Sequence, residues 1–370
     1  MAAPPLISSP APKAGCSVVW KVLALVFLGL LVLSVISRML SFSHAMTAHG
    51  RAMTDHTRNL EEFILEQTNS DNKIAVVTVD GVITSKGDDR GTMTLADAIS
   101  EQLKSAGDDN DVKAVILKVN SPGGEVLASD DINRSIRKFQ DETHKPVIAS
   151  MGSLAASGGY YISVPCRWIV ANELTITGSI GVIMDSLNYR QLMDKVGLRP
   201  KVFKSGRFKD MLSGQREPDT DQLSPEEQKN RAEEDQMVQS LIDETFARFK
   251  EVVKDGRTRA ADQNKGEGRA LASNWQDYAD GRVLSGKHAM ELGFVDELGD
   301  FHAAVKRAET LAGINSASLV EYRQSFDFQS VLSHVFGKTE VPALKIDLGM
   351  DLPRLEAGRM YYMLPTAVLH

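Results

Sequence analysis

Cysteine is scarce in this 370-residue chain, which carries only Cys16 and Cys166. They lie far apart and without metal-ligand spacing, so neither a disulfide framework nor a zinc site is expected and both thiols read as unpaired. Excess positive charge is also missing. Forty-two Lys and Arg stand against 49 Asp and Glu, for a net charge of -7 and a pI near 5.7. With no dense Lys/Arg run to track phosphates, nucleic acid is not an expected partner. Internal repeats are absent as well. What is present is 42% hydrophobic and 25% charged content, enough for one large or two ordinary globular domains and incompatible with a disordered or fibrous chain.

The N-terminal region sets the compartment. Residues 22–37 read VLALVFLGLLVLSVIS without a charge. With Lys21 and Arg38 snorkelling, residues 18–42 form a predicted single transmembrane helix, because a segment apolar all round has no polar side to show to water. Ser43-His44-Ala45 resembles a weak signal-peptidase site. The Pro/Ala-rich start (1–17), read as disordered, and the position of the apolar run favour an uncleaved anchor. Flanking charges, Lys13 and Lys21 before and Arg38 and Arg51 after, do not choose an orientation. Residues 43–72 are polar with scattered apolar positions such as Leu60, Phe63, Ile64 and Leu65, and read as a linker helix.

From Lys73 onward, strand-like and helix-like segments alternate. Strands are predicted at 74–83, 112–120, 146–151, 168–171 and 180–184, and helices at 94–105, 125–139 and 155–164. The apolar runs are short and near-continuous, as in parallel strands covered on both faces, so the fold class is α/β with repeated right-handed β-α-β crossovers. The polar stretch after Phe203 leads to Ser224-Pro225-Glu226-Glu227, a capped start for a helix over 225–254. Its Met237, Leu241, Ile242, Phe246 and Phe249 share one side. Residues 281–298 read as turn, helix and closing turn. Residues 314–358 are weakly patterned, and the MYYMLP end is apolar enough to dock or to contact a neighbouring chain.

Glycine-rich loops at strand ends are where such folds place chemistry. Asn120-Ser121-Pro122-Gly123-Gly124 follows a strand and can aim backbone N–H groups at one point, an anion or a developing oxyanion; taken by itself it reads more readily as a tight turn. Ser153 to Tyr161 (SLAASGGYY) follows another strand, and its small residues let a substrate backbone approach Ser157, with the Gly158 N–H beside it. Small-residue helix packing is the alternative. A nucleophilic serine needs a base, and histidine is a poor candidate: His44, His49, His56, His144, His288, His302, His334 and His370 all avoid the glycine loops. A lysine in apolar surroundings can serve as a neutral amine, and Lys209 lies beside Phe208, Met211 and Leu212.

The combination of NSPGG at 120–124, SMGSLAASGGYYIS at 150–163, TGSIGVIM at 177–184, KSGRFKDMLS at 204–213 and DGRVLSGKHAMELGFVDELG at 280–299 closely resembles the signal peptide peptidase family of serine/lysine membrane proteases, in the form with one copy of the protease domain. The resemblance spans roughly 73–312, leaving 313–370 as a C-terminal extension. It implies a twisted β-α-β spiral like that of Clp protease and crotonase enzymes. Carried over by position, Ser157 is the nucleophile, with Ser153 as nearest competitor, and Lys209 is the general base. Ser179 orients the lysine amine, and Gly124 and Gly158 form the oxyanion hole. No metal or cofactor is implied. The implied partners are peptide or membrane-protein substrates, signal-peptide remnants among them, and the lipid bilayer. A homo-oligomeric ring, for instance an octamer, is implied too, the lysine of one subunit completing the next subunit's site. The implied location is the cell (inner) membrane, single-pass, with the catalytic domain outside the cytoplasm. A crotonase-type acyl-CoA enzyme would need acidic residues at the loop tips and has no use for Ser157, Ser179 and Lys209 together. A non-catalytic scaffold of the same fold has no use for an intact set of them.

Overall fold

The computed structural model describes residues 60–85, 93–217, 223–324 and 360–363. In chain order it contains β1 (Leu60–Glu66), β2 (Lys73–Asp80), α1 (Leu95–Asp108), β3 (Val112–Ser121), β4 (Gly123–Glu125), α2 (Val126–Thr143) and β5 (Val147–Ala156). There follow α3 (Gly158–Ser163), β6 (Trp168–Ala171), β7 (Ile176–Gly178), α4 (Arg190–Lys195) and α5 (Pro225–Gln263). The last elements are β8 (Val283–Ser285), α6 (Gly286–Glu291), β9 (Glu297–Leu298), α7 (Phe301–Ala312), β10 (Ser318–Gln324) and β11 (Tyr361–Met363).

The main sheet runs in the order β1-β10-β2-β3-β5-β6-β9. All neighbours from β10 to β9 are parallel, and β1 closes the edge antiparallel to β10. The mixed α/β class expected from the near-continuous apolar runs follows from period-2 alternation within them. In β2, Ala75, Val77 and Val79 join one buried cluster with Ile99, Leu103, Ile132, Ile136 and Phe249 of the helices. Ile74 and Val76 join a second with Ala304 and Ala308 of α7. Both faces are therefore dry, and neither can alternate with polar residues.

β5 places the site. It pairs with β6 through Ile148–Met151 and then, past Gly152, with β7 through Leu154–Ala156. The long α5 starts on a capping box, Ser224 and Glu227 satisfying each other's backbone N–H groups, with Pro225 in the first turn. Its C-terminal half is sunk into the core beside α3 through Phe249, Val252, Val253 and Ala260, Phe249 meeting Tyr161 edge to face. There Arg257, fully buried, pairs with Asp296, whose carboxylate also accepts from the N–H groups of Ile169 and Arg269. The N-terminal half leaves Met237 and Leu241 exposed, so the apolar stripe read from the sequence reaches the core only toward its C-terminal end, with Phe246 packed against it and Phe249 buried in it.

Several expectations are corrected. Residues 60–66, read as part of a linker helix, form β1, because β10 offers an open edge that no local pattern announces. The C-terminal extension is not outside the domain: β10 inserts beside β2, and β11 pairs with β4. The strand expected at 180–184 is reduced to a single bridge from Ile183 to Tyr361. The helix expected at 155–164 starts only at Gly158, because β5 stays extended through Ala156 to meet β7. The segments read as disordered start (1–17) and transmembrane helix (18–42), and linker residues 43–59, lie outside the described residues. Among the described residues no helix is long and apolar enough to cross a membrane.

Candidate active site

Ser157 stands where β5 ends and α3 begins, and three observations single it out. Its backbone has φ 54° and ψ -115°, a conformation that residues with a Cβ rarely adopt. Holding it costs about 1–3 kcal/mol and requires support from the surroundings. That support is visible: the Ser157 N–H donates to the Gly178 carbonyl at 2.8 Å, and its carbonyl accepts from Tyr161 N–H at 2.8 Å. The hydroxyl is buried, and no hydrogen-bond partner reaches it among the described residues. A buried polar group left unsatisfied costs about 1–3 kcal/mol, so backbone strain and side-chain desolvation meet at one serine.

The other candidates, one excepted, converge on it. The register Ala156↔Gly178 sets Ser157 and Ser179 one residue past matched ends of adjacent parallel strands. Ser179 is also at positive φ, 50°, and is held by its N–H to the Arg282 carbonyl at 2.8 Å. Gly158 opens α3, where first-turn N–H groups have no intrahelical acceptor. The Gly124 loop packs directly against it. A Cβ built on Gly158 would lie 3.0 Å from the Gly124 nitrogen, 3.1 Å from the Gly123 Cα and 2.7 Å from the Ser129 hydroxyl. Only glycine allows the two loops this approach, and it brings two backbone N–H groups beside one serine.

Ser129, buried on α2 with its hydroxyl donating to the Glu125 carbonyl at 2.9 Å, props the Gly158 side of this cluster. Nothing in its sequence neighbourhood, an ordinary amphipathic helix, announces that role. Tyr160 and Tyr161 anchor α3: the first donates to the Phe294 carbonyl at 3.1 Å, the second to Asp130 at 2.7 Å. Burial pushes both phenols above their ordinary pKa, which keeps them protonated as donors. Ser153, the alternative serine, lies within β5 and lacks the exceptional backbone of Ser157. Among the described residues no group of His, Cys, Asp and Glu is arranged to hold a metal.

Lys209 is the exception. It sits exposed on the stretch 204–217, and no contact joins it to Ser157 or Ser179 in one chain. The apolar burial that the sequence reading wanted for it is not supplied within the chain, where its side chain is exposed. Its neighbours are fully engaged: Lys204 with Asp210 at 2.8 Å, Arg207 with Glu233 at 2.6 Å, and Arg216 with Glu234 at 2.5 Å. The Lys209 ammonium alone in this cluster has no partner among the described residues. The stretch leading to it, from Leu187 through Leu192, Val196, Leu198 and Val202 to Phe203, is a run of exposed large apolar side chains.

Comparison with known proteins identifies the context. The sequence profile of peptidase family S49 matches residues 139–315. A candidate protease of Synechocystis sp. (slr0021) is 38% identical over 249 residues, covering 67% of this chain and 78% of that one. A candidate signal peptide peptidase SppA of Enterococcus faecium is 32% identical over 305 residues, covering 80% and 81%. Among solved structures, a mutant of a 1510-N membrane-bound stomatin-specific protease in complex with a substrate peptide aligns over 71% of this chain and 97% of that one. The likeness is distant, with 17% identity and a TM-score of 0.38.

Proposed function

Since the chain belongs to peptidase family S49 and is a serine peptidase, we propose that it hydrolyses peptide bonds with Ser157 as nucleophile and Lys209 as general base. The observation that carries this reading is the buried, unpartnered Ser157 hydroxyl, held in a strained backbone beside the Gly124 and Gly158 loops. A neutral Lys209 amine takes the Ser157 proton as Oγ attacks the scissile carbonyl carbon. The Gly124 and Gly158 N–H groups stabilise the oxyanion. The lysine then returns its proton to the departing amine, leaving an acyl-enzyme that water releases by the reverse proton route. Ser179, level with Ser157 on the neighbouring strand, orients the amine.

The lysine comes from a second copy of the chain. Lys209 follows an exposed apolar stretch, and a surface of that kind normally lies in an interface. Burial against a neighbour would also supply the desolvation that a lysine base requires. A ring of subunits, each completing the next site, meets both conditions. The fold is of the Clp protease/crotonase type, and residues 18–42 anchor the domain to the membrane. Signal-peptide remnants or other membrane-associated peptides are the corresponding substrates, consistent with the names of a signal peptide peptidase and a membrane-bound protease among the similar proteins.

The test is peptidase activity of the detergent-solubilised full chain on a fluorogenic apolar peptide, with Ser157→Ala and Lys209→Ala variants. Both variants should be inactive while folded and assembled, and activity of the wild type should rise with pH because only the neutral amine accepts a proton. Mixing the two dead variants should restore part of the activity. Full activity of Lys209→Ala would remove the base assignment.

A further inference from the structure

The loop that carries Lys209 is a coil of successive turns clamped from two sides. Lys209 N–H donates to the Gly206 carbonyl, Met211 N–H to Phe208 and Ser213 N–H to Asp210, at 3.2, 3.0 and 3.1 Å. From the segment that leads into α4, Tyr189 N–H donates to the Gly214 carbonyl at 2.9 Å and the Asn188 side chain to the Arg216 carbonyl at 3.2 Å. From α5, Asn230 and Glu233 accept from Arg207 at 3.0 and 2.6 Å, and Arg231 donates to the Glu217 carbonyl at 2.8 Å.

Both acids of residues 204–217, Asp210 and Glu217, are engaged by cations other than Lys209. Glu217 pairs at 2.8 Å with Arg190, which Asp194 also meets at 3.3 Å. Asp210, the residue after Lys209, accepts from the Lys204 ammonium at 2.8 Å on one oxygen and faces the Arg216 guanidinium at 3.7 Å with the other. Arg216 in turn grips Glu234 of α5 with both terminal nitrogens, at 2.5 and 3.1 Å. Lys204, Asp210, Arg216 and Glu234 therefore form one chain of alternating charge that sums to zero, and Lys209 takes no part in it. The Asp210 and Arg216 side chains are 14% exposed and that of Glu234 6%, so these charges act with less screening than on an open surface.

We infer that Lys204 and Arg216 are positioning residues for the general base: they occupy Asp210, Arg216 from its anchor on Glu234, and so leave the Lys209 amine without a carboxylate on its own loop to hold it as an ammonium ion. The inference rests on the reading of Lys209 as the base. An opposite charge nearby favours the ionised form of a lysine, and an ionised lysine accepts no proton. Asp210 is a standing hazard in this respect, since a carboxylic acid is ionised at any pH at which a lysine can be neutral. Deleting the Lys204 charge has two separable consequences. The loop loses a bond, which lowers activity at every pH. The surroundings of Lys209 also gain a net negative charge, which raises the pH at which the base becomes neutral.

The experiment follows kcat/KM against pH for the full-length chain in detergent cleaving a fluorogenic apolar peptide. Wild type should rise along one limb. Lys204→Met should move that limb upward by about one pH unit, so that activity falls about tenfold on the limb and returns at high pH. Lys204→Arg, which keeps the charge, should follow wild type. Adding Asp210→Asn to Lys204→Met removes the freed carboxylate and should bring the limb back toward its wild-type position, which mere loss of loop structure would not do. Glu234→Gln takes a negative charge from the same chain and should move the limb downward, a test that stands even if Lys204→Met does not fold. A limb that stays in place in Lys204→Met and Glu234→Gln, or that Asp210→Asn does not bring back, overturns the inference and leaves the peptidase reading standing. If Lys209→Ala keeps full activity, the base assignment has failed and the inference with it. If no peptide is cut and Ser157 takes up no fluorophosphonate, the peptidase reading itself has failed.

Discussion

Replacing Gly158 by alanine tests the proposed oxyanion hole with one methyl group. The added carbon would meet the Ser129 hydroxyl at 2.7 Å, the Gly124 nitrogen at 3.0 Å and the Gly123 Cα at 3.1 Å. The first contact can be relieved by rotating the Ser129 side chain, at the expense of its bond to the Glu125 carbonyl. The other two are backbone, so the Gly124 loop must move away from Gly158. Overpacking of this kind costs about 1–3 kcal/mol of stability. Displacing one oxyanion donor costs more in the barrier, about 2.7–4 kcal/mol, or 10²–10³ in kcat. Gly107→Ala is the control: in helix α1 its Cβ would find only ordinary contacts, the nearest Thr143 Cγ2 at 3.4 Å. Relieving the conformational freedom of a helical glycine should stabilise by up to about 1 kcal/mol without touching activity. Steady-state cleavage of a fluorogenic peptide, read beside chemical denaturation of the same samples, separates the effects. If Gly158→Ala keeps kcat within about threefold of wild type while folded, the two glycine loops do not form the oxyanion hole.

Two further outcomes follow from the ion pairs. Arg257→Met leaves the buried Asp296 carboxylate without its cation and should cost about 3–5 kcal/mol in denaturant unfolding; adding Asp296→Leu removes that uncompensated charge and should recover some of the loss, but only part, because the Ile169 and Arg269 N–H groups then lose their acceptor. A single variant within about 1 kcal/mol of wild type would show that the pair is not what ties α5 to the sheet. Burial works against ionisation of Asp210, but the hydrogen bond from Lys204 and the charge of Arg216 outweigh it and hold the carboxyl below its ordinary value. A folded pKa lowered in this way stabilises at neutral pH and down to the unfolded value near 3.9, and that contribution is lost as pH falls through the lower folded value. Hydrogen exchange over residues 204–217 should therefore accelerate in acid before that of β2 and β3, and Asp210→Asn should abolish the pH dependence. Equal protection of that stretch at pH 6 and at pH 3 would refute the assignment.

The segments visible in sequence are those whose evidence is local. Strand β6 falls on the expected residues, and β2, β3 and β5 differ from expectation at their ends only, because a dry two-faced strand must be apolar throughout. The start of α5 was legible from Ser224, Pro225 and Glu227, a cap whose bonds all lie within one turn. The glycine pairs at 123–124 and 158–159 were recognisable because close backbone approach excludes every side chain. Strand β1 was not legible: LEEFILE has no alternation that separates an edge strand from a helix, and its partner β10 lies more than 250 residues away.

What the sequence by itself determined is the set of chemical parts and the layered α/β scaffold, since composition, apolar runs and glycine loops constrain each neighbourhood on its own. Only the tertiary structure decided how those parts meet. Ser157 and Ser179 became level through the register of β5 and β7, and Ser129 came to support Gly158 through the packing of α2. Tyr362, on a strand too short to carry any period, was placed opposite Gly124 by the slot that receives it. Each of these depends on which backbone edges remain open once the sheet has formed, a property of the whole chain that no local stretch encodes.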